Sequence, residues 1–255
     1  MTATSPKLLR PIFALLLGLL SAPMLHAGEF TILPLRVMLD RATRASEITV
    51  RNEDKAPLRV QIEAMSWRQD AEGKDQYELA DGLLYFPRAM EIAPGESRII
   101  RVGVRAAPVS REESYRVFIE ELPPSTPQSA PPGTATLRVL LRVGVAVFVA
   151  PAPVERKGEI GRLGVQGRTA EWTIVNTGNV HLRAERVQLA GFARDGSELF
   201  VQEFPERYFL PGVTKTLRFE LSREACGRLA TLEASALGEN LDLRRKVDVD
   251  PGSCR

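Results

Sequence analysis

Two histidines and two cysteines are all that this 255-residue chain holds of the residue types that most often serve as general bases, thiol nucleophiles or soft-metal ligands. His26 falls in an N-terminal stretch that reads as removable, so Ser–His or Cys–His catalysis would rest on His181 alone. His181 follows Asn179-Val180 at a strand start with no acid or nucleophile near it in sequence, which reads as a loop or packing histidine. One histidine and two cysteines cannot build a typical structural zinc site without carboxylates. Gly158 to Gly167 scatters glycines without phosphate-loop spacing. An enzyme, a metal, a cofactor or a small-molecule substrate is therefore not expected. The chain carries 34 Lys+Arg and 32 Asp+Glu, and setting aside Lys7 and Arg10 of the acid-free stretch 1–27 leaves 32 of each. A neutral remainder lacks the electrostatic footprint of a nucleic-acid binder.

That N-terminal stretch has the order of a secretory signal peptide over 1–27. Lys7 and Arg10 form its basic start, Ile12 to Leu20 its apolar run, Ser21-Ala22-Pro23 the break, and Ala27 the small residue at the cut. The apolar run falls far short of the ~20 residues of a membrane span. An exported chain meets an oxidising compartment, where Cys226 and Cys254 can pair with a gain of about 2–4 kcal/mol.

The elements that would position any site are short strands. Glu47 to Arg51, Leu58 to Ala64, Arg98 to Val104 and Tyr115 to Ile119 alternate or nearly alternate, with turn signals at Asn52-Glu53-Asp54, Glu72-Gly73-Lys74 and Pro94-Gly95 between them. This indicates an all-β chain of immunoglobulin-like sandwiches. Helical periodicity is weak except for a short turn around Ser222 to Gly227. The pattern is written twice. Thr49-Val50-Arg51-Asn52 leads after a short gap to Leu58-Arg59-Val60, and Ile174-Val175-Asn176 leads at the same offset to Leu182-Arg183-Ala184. Ala93-Pro94-Gly95 precedes Arg101 as Leu210-Pro211-Gly212 precedes Arg218. Two related sandwiches follow, at 28–150 and 154–255, joined by the stiff Ala150-Pro151-Ala152-Pro153. Trp67 and Trp172 lie in strand-like runs and read as core aromatics. Arg244-Arg245-Lys246 reads as an exposed strand face.

Leu137 to Val149 is the longest strand-like run. Its odd positions are Leu137, Val139, Leu141, Val143, Val145, Val147 and Val149; its even face is mixed and carries Arg138 and Arg142. Thirteen residues extend roughly 43 Å, more than a sandwich of this size readily covers. The first half is expected to project or lie at an edge, exposing Leu137, Val139 and Leu141. Two readings stay open: an edge guarded by Arg138 and Arg142, or a row filled by another chain through β-strand addition.

The run Tyr115-Arg116-Val117-Phe118-Ile119-Glu120-Glu121-Leu122-Pro123-Pro124, followed after a loop by the long strand ending Phe148-Val149-Ala150-Pro151, resembles periplasmic PapD-like pilus chaperones, in a divergent branch. So do Leu35 to Asp40, Ile92 to Arg101, Asn176 to Asn179 and Tyr208 to Gly212. The resemblance implies a periplasmic chaperone that binds and caps pilus or fimbrial subunits by donor-strand complementation and delivers them to an outer-membrane usher. Leu137, Val139, Leu141 and Val143 would fill the groove of the subunit. It also implies a pair of basic residues in the interdomain cleft that grip the subunit's C-terminal carboxylate. Arg36 matches the first, but the family's lysine aligns with Ala146; Arg142 and Arg101 are the candidate substitutes, with Arg101 weakened by its repeat at Arg218. The family's arginine before the joint's proline is Ala150 here, so some other contact must set the domain angle, and Glu112 and Glu113 read as plain surface charges. The loop Ser125 to Thr136 is longer than in many members. Self-association through the free edge stays open, as does a different function, a secreted immunoglobulin-like binding module or adhesin.

Overall fold

The computed structural model describes residues 30–70, 72–105, 110–123, 139–250 and 252–254. The expected signal peptide, the loop Ser125 to Thr136 and Leu137 lie outside the described residues. The first ten strands are β1 (Phe30–Leu33), β2 (Arg36–Leu39), β3 (Ala45–Asn52), β4 (Leu58–Gln69), β5 (Asp75–Leu79), β6 (Leu83–Phe86), β7 (Ala89–Ile92), β8 (Ser97–Val104), β9 (Glu113–Glu121) and β10 (Arg142–Val149). They form two sheets, ordered β1-β3-β8-β6 and β2-β10-β9-β4-β5, with β7 also paired to β4. Alternating side chains from both sheets meet in one core that includes Ile48, Val50, Ile100, Val60, Ile119 and Val147.

A second sandwich follows: β11 (Gly158–Gln166), β12 (Thr169–Asn176), β13 (Leu182–Arg183), β14 (Arg186–Ala193), β15 (Glu198–Phe204), β16 (Tyr208–Phe209), β17 (Thr214–Glu220), α1 (Arg223–Arg228), β18 (Leu229–Gly238) and β19 (Leu241–Asp248). Its sheets run β11-β12-β17 and β15-β14-β18-β19, with β13 and β16 paired apart. Both β12 and β14 bury every second side chain, as a sheet with one face on a core requires. Trp172 lies in this second core, with Ile174, Leu189 and Leu232. Ser222 caps α1 by accepting the Ala225 N–H at 3.1 Å, and Cys226 on that helix is bonded to Cys254.

The repeat seen in the sequence is a repeat of hydrogen bonds. Asn52 and Asn176 are both buried. Asn52 Nδ2 donates to the carbonyls of Ala56 at 2.8 Å and Ile92 at 3.0 Å; Asn176 Nδ2 donates to those of Val180 and Phe209, both at 2.8 Å. The backbone carbonyl of each asparagine then accepts the N–H of the Pro-Gly glycine, Gly95 or Gly212, at 3.0 Å. Those glycines have φ of 73° and 77°, a region open to glycine without strain. Arg101 faces Glu47 across β3 and β8 at 3.2 Å, and Arg218 faces Glu171 across β12 and β17 at 2.8 Å. The same cross-strand pair thus recurs in both sandwiches.

The sandwiches meet through a third apolar cluster of Trp67, Ala146, Phe148, Leu210 and Val213, with Tyr208 packed against it. This corrects the expectation for Trp67: it is buried, but between the domains. Glu112 is also corrected from surface charge to buried anchor, its side chain fully enclosed. It accepts the His181 backbone N–H at 3.0 Å and sits 2.8 Å from His181 Nδ1. The imidazole stacks on Phe148 at 3.7 Å between ring centres. Gln69 adds a two-way amide contact, donating to Tyr208 O at 3.1 Å and accepting from Leu210 N–H at 3.0 Å. These contacts hold the two domains together, with Ala150 standing where the resemblance implied an arginine.

Candidate functional site

Strand β10 has one neighbour along its whole length and another along only half. It pairs antiparallel with β9 from Arg142 to Val149 and parallel with β2 only from Ala146 onward. Ala146 N–H donates to Leu35 O at 3.1 Å and Ala150 N–H to Leu39 O at 2.8 Å, while Leu141 O accepts the Glu121 N–H at 2.9 Å. Even-numbered residues of β10 therefore aim their main-chain groups toward β2, and odd-numbered ones toward β9. Because β2 starts at Arg36, opposite Ala146, the main-chain groups of Arg142 and Gly144 face an edge with no strand on it among the described residues. The Gly144 carbonyl receives a long 3.4 Å contact from Arg116 Nη1.

The side chains of that segment divide by parity. Val145, Val147 and Val149 are buried in the first core, and Val143 is half-buried against it. Ahead of them the apolar row runs out into solvent, with Leu141 37% and Val139 56% exposed. On the other face, Ala146 and Phe148 are closed over by the second sandwich. Five consecutive residues, Val145 to Val149, are thus buried. The strand is shorter than the expected thirteen-residue run, spanning eight residues. Val139 to Leu141 precede it, with Leu141 held to Glu121 by the one hydrogen bond given above.

Beside the start of β2, the domains leave a cleft of about 150 Å³ lined by Arg36, Arg156, His181, Arg183 and Glu239 among others. Ala146 lies in register beside Arg36, so the alanine stands next to the arginine on one sheet face. The other two arginines proposed from sequence do not join it. Arg142 lies four residues back, about 13 Å along the strand. It is held by Glu63 at 3.4 Å and Glu120 at 3.3 Å, its guanidinium 4.1 Å over the Phe118 ring. Arg101 sits in the opposite sheet, paired with Glu47. Sequence reasoning missed Glu112 and Arg156. Glu112 meets His181 across 69 residues, and Arg156 reaches the cleft from beyond the joint, so no local spacing marks either.

Residues 29–155 match the family model for the pili and flagellar-assembly chaperone, PapD N-terminal domain. Through its first domain, the chain belongs to the PapD-like chaperone family. The PapD-like fold extends over both sandwiches. The crystal structure of the CsuC–CsuE chaperone–tip adhesion subunit pre-assembly complex from archaic Csu pili of Acinetobacter baumannii aligns with a TM-score of 0.57 at 17% identity, covering 87% of this chain and 98% of that one. The Salmonella enterica SafA pilin in complex with the SafB chaperone gives 0.57 at 16%, covering 87% and 98%. The Escherichia coli chaperone DraB gives 0.53 at 14%, covering 88% and 98%. At such identities the likeness is one of fold. No curated protein matches the chain. Among the described residues no three His, Cys, Asp or Glu side chains gather as metal ligands, and no helix is long and apolar enough to cross a membrane.

Proposed function

We propose that this PapD-like chain is a periplasmic chaperone that caps pilus or fimbrial subunits by lending them a strand and passes them to an outer-membrane usher. The observation that carries the reading is the open edge of β10, where the main-chain groups of Arg142 and Gly144 have no strand beside them among the described residues and lie next to an apolar row that outruns its own core. A guest strand on that edge gains main-chain hydrogen bonds from Arg142 and Gly144. Covering Val139 and Leu141, with Leu137 ahead of them and Val143 behind, contributes about 1.5–3 kcal/mol per fully buried side chain before ordering costs.

The guest occupies the position that β2 takes further along, so it must end where β2 begins, at Leu35-Arg36. The charge there is cationic, which selects a carboxylate end. The guest chain therefore terminates beside Arg36 and runs parallel to β10. No covalent step or cofactor is needed: release follows when a neighbouring subunit's strand, a better fit, replaces β10. Two of the similar structures are complexes of a chaperone with a subunit or pilin, which supports the same partner class here.

The test is periplasmic co-expression with candidate subunits, followed by pull-down and mass identification. The parent chain retains a pilus subunit, and Leu137→Glu combined with Leu141→Glu abolishes retention while the chain stays folded. Equal retention by the double variant rejects strand lending.

A further inference from the structure

The even face of β10, which the second sandwich covers at Ala146 and Phe148, carries no side chain at Gly144. Gly144 is in register with Phe118 on β9. Since the main-chain bonds to β9 run through the odd-numbered residues, this pair is of the kind that brings its side chains closest. The Phe118 ring leans into the space that results: a methyl group at Gly144 would stand 3.0 Å from Phe118 Cε1 and 3.3 Å from Cδ1. The ring thus occupies the place of a side chain at 144, on the last strand before the open edge. Arg142 covers one face of it, the guanidinium 4.1 Å from the ring centre, and Tyr77 meets it edge-on at 5.3 Å between ring centres. Phe118 is still only half-buried. The neighbouring cations are already engaged, Arg142 by Glu63 and Glu120, and Arg116 by the Trp67 ring at 3.9 Å and the Gly144 carbonyl. A guest on the edge meets apolar surface here, beside charges that have their partners.

We infer that the guest strand places a large apolar side chain (aromatic, leucine or methionine) beside Gly144 and against the Phe118 ring, and that this contact selects among guests. In a sheet, in-register neighbours point to one face and successive residues alternate. The guest residue beside Gly144 therefore points to the Phe118 face, and the residues before and after it point to the face of the row at Leu141 and Val143. A small residue at that place leaves the ring uncovered. A charged one loses its water against an aromatic ring and finds no free counter-charge there. Gly144 and Phe118 form a single specificity element: the glycine gives up its side chain, and the ring from the next strand reaches the guest in its stead. The inference rests on the strand-lending reading, since only a guest on the edge brings a side chain to this place.

The test uses the full chain and the subunit that it retains in the co-expression pull-down. Each residue of the subunit's final strand is changed in turn to alanine, and retention is measured in competition with the unaltered subunit. One position of the Phe118-facing parity, held by a large apolar residue, loses retention by about tenfold, the scale of an interface anchor. Phe118→Ala in the chain costs the same, and the two changes together cost no more than either alone. Thermal unfolding checks that Phe118→Ala keeps the fold. Gly144→Ala, which displaces the ring instead of deleting it, gives an independent reading and lowers retention by about threefold. Losses that multiply in the paired change overturn the inference, as does a guest whose Phe118-facing positions all tolerate alanine or carry a charge. Subunit retention by the Leu137→Glu, Leu141→Glu variant rejects strand lending, and the inference with it. Loss of retention in that variant without coupling at Phe118 rejects the inference alone.

Discussion

At the scale of single residues, the most consequential side chains are polar and buried. Asn52 and Asn176 each tie together two carbonyls, one in the turn just after it and one on a distant segment. Water cannot replace those bonds inside the core. Asn176→Ala strands the carbonyls of Val180 and Phe209 and costs about 2–4 kcal/mol, read as a shift in the urea midpoint. Asn52→Ala has the same effect in the first domain. The two asparagines were legible from the sequence, because a turn residue repeated at fixed offsets marks a repeated turn. Their bonding was not, since the acceptors Ile92 and Phe209 lie 40 and 33 residues away. Glu112 shows the converse. Its neighbours in sequence suggest a solvated charge, and only the approach of the second domain makes it a buried acceptor.

At the scale of elements, β10 and the three described residues before it do three jobs. Period-two alternation exposed the first job in the sequence: the odd-numbered valines fill the first core. The second was hidden, because Ala146 and Phe148 on the even face are buried by residues near Leu210 that the run itself cannot announce. The third, the apolar row continuing past the core at Leu141 and Val139, was legible from the alternation of the run, though the strand itself stops at Arg142. Leu141 is already exposed in the free chain, so Leu141→Glu alone changes thermal stability by less than about 0.5 kcal/mol. The disulfide acts on another element. Cys226 and Cys254 close a 28-residue separation that ties α1 to the chain's end. Replacing both by serine lowers stability by about 3–4 kcal/mol on the chain-entropy account, seen in calorimetry of the second domain's transition, with subunit capture unchanged below that transition.

At the scale of the whole molecule, the domains are joined by a buried acid–imidazole contact, an aromatic cluster and the Gln69 bridge, and the cleft beside Arg36 takes its shape from them. Glu112→Ala leaves the His181 N–H and ring nitrogen without their acceptor and costs about 2–4 kcal/mol. It also broadens the interdomain distance distribution in small-angle scattering, while the strands of each sandwich keep their amide protection. On the proposed reading, the outer edge of β10 stays without a strand until a guest lies on it. Amide hydrogen exchange, resolved residue by residue, reads this directly, with the free chain compared against its complex with a co-purified subunit. An alternation is expected: Val143 and Val145 amides, aimed at β9, are slow in both states, whereas those of Arg142 and Gly144 exchange fast in the free chain and become slow in the complex. Arg142 and Gly144 amides as slow in the free chain as Val143 and Val145, or unchanged by the bound subunit, would contradict it.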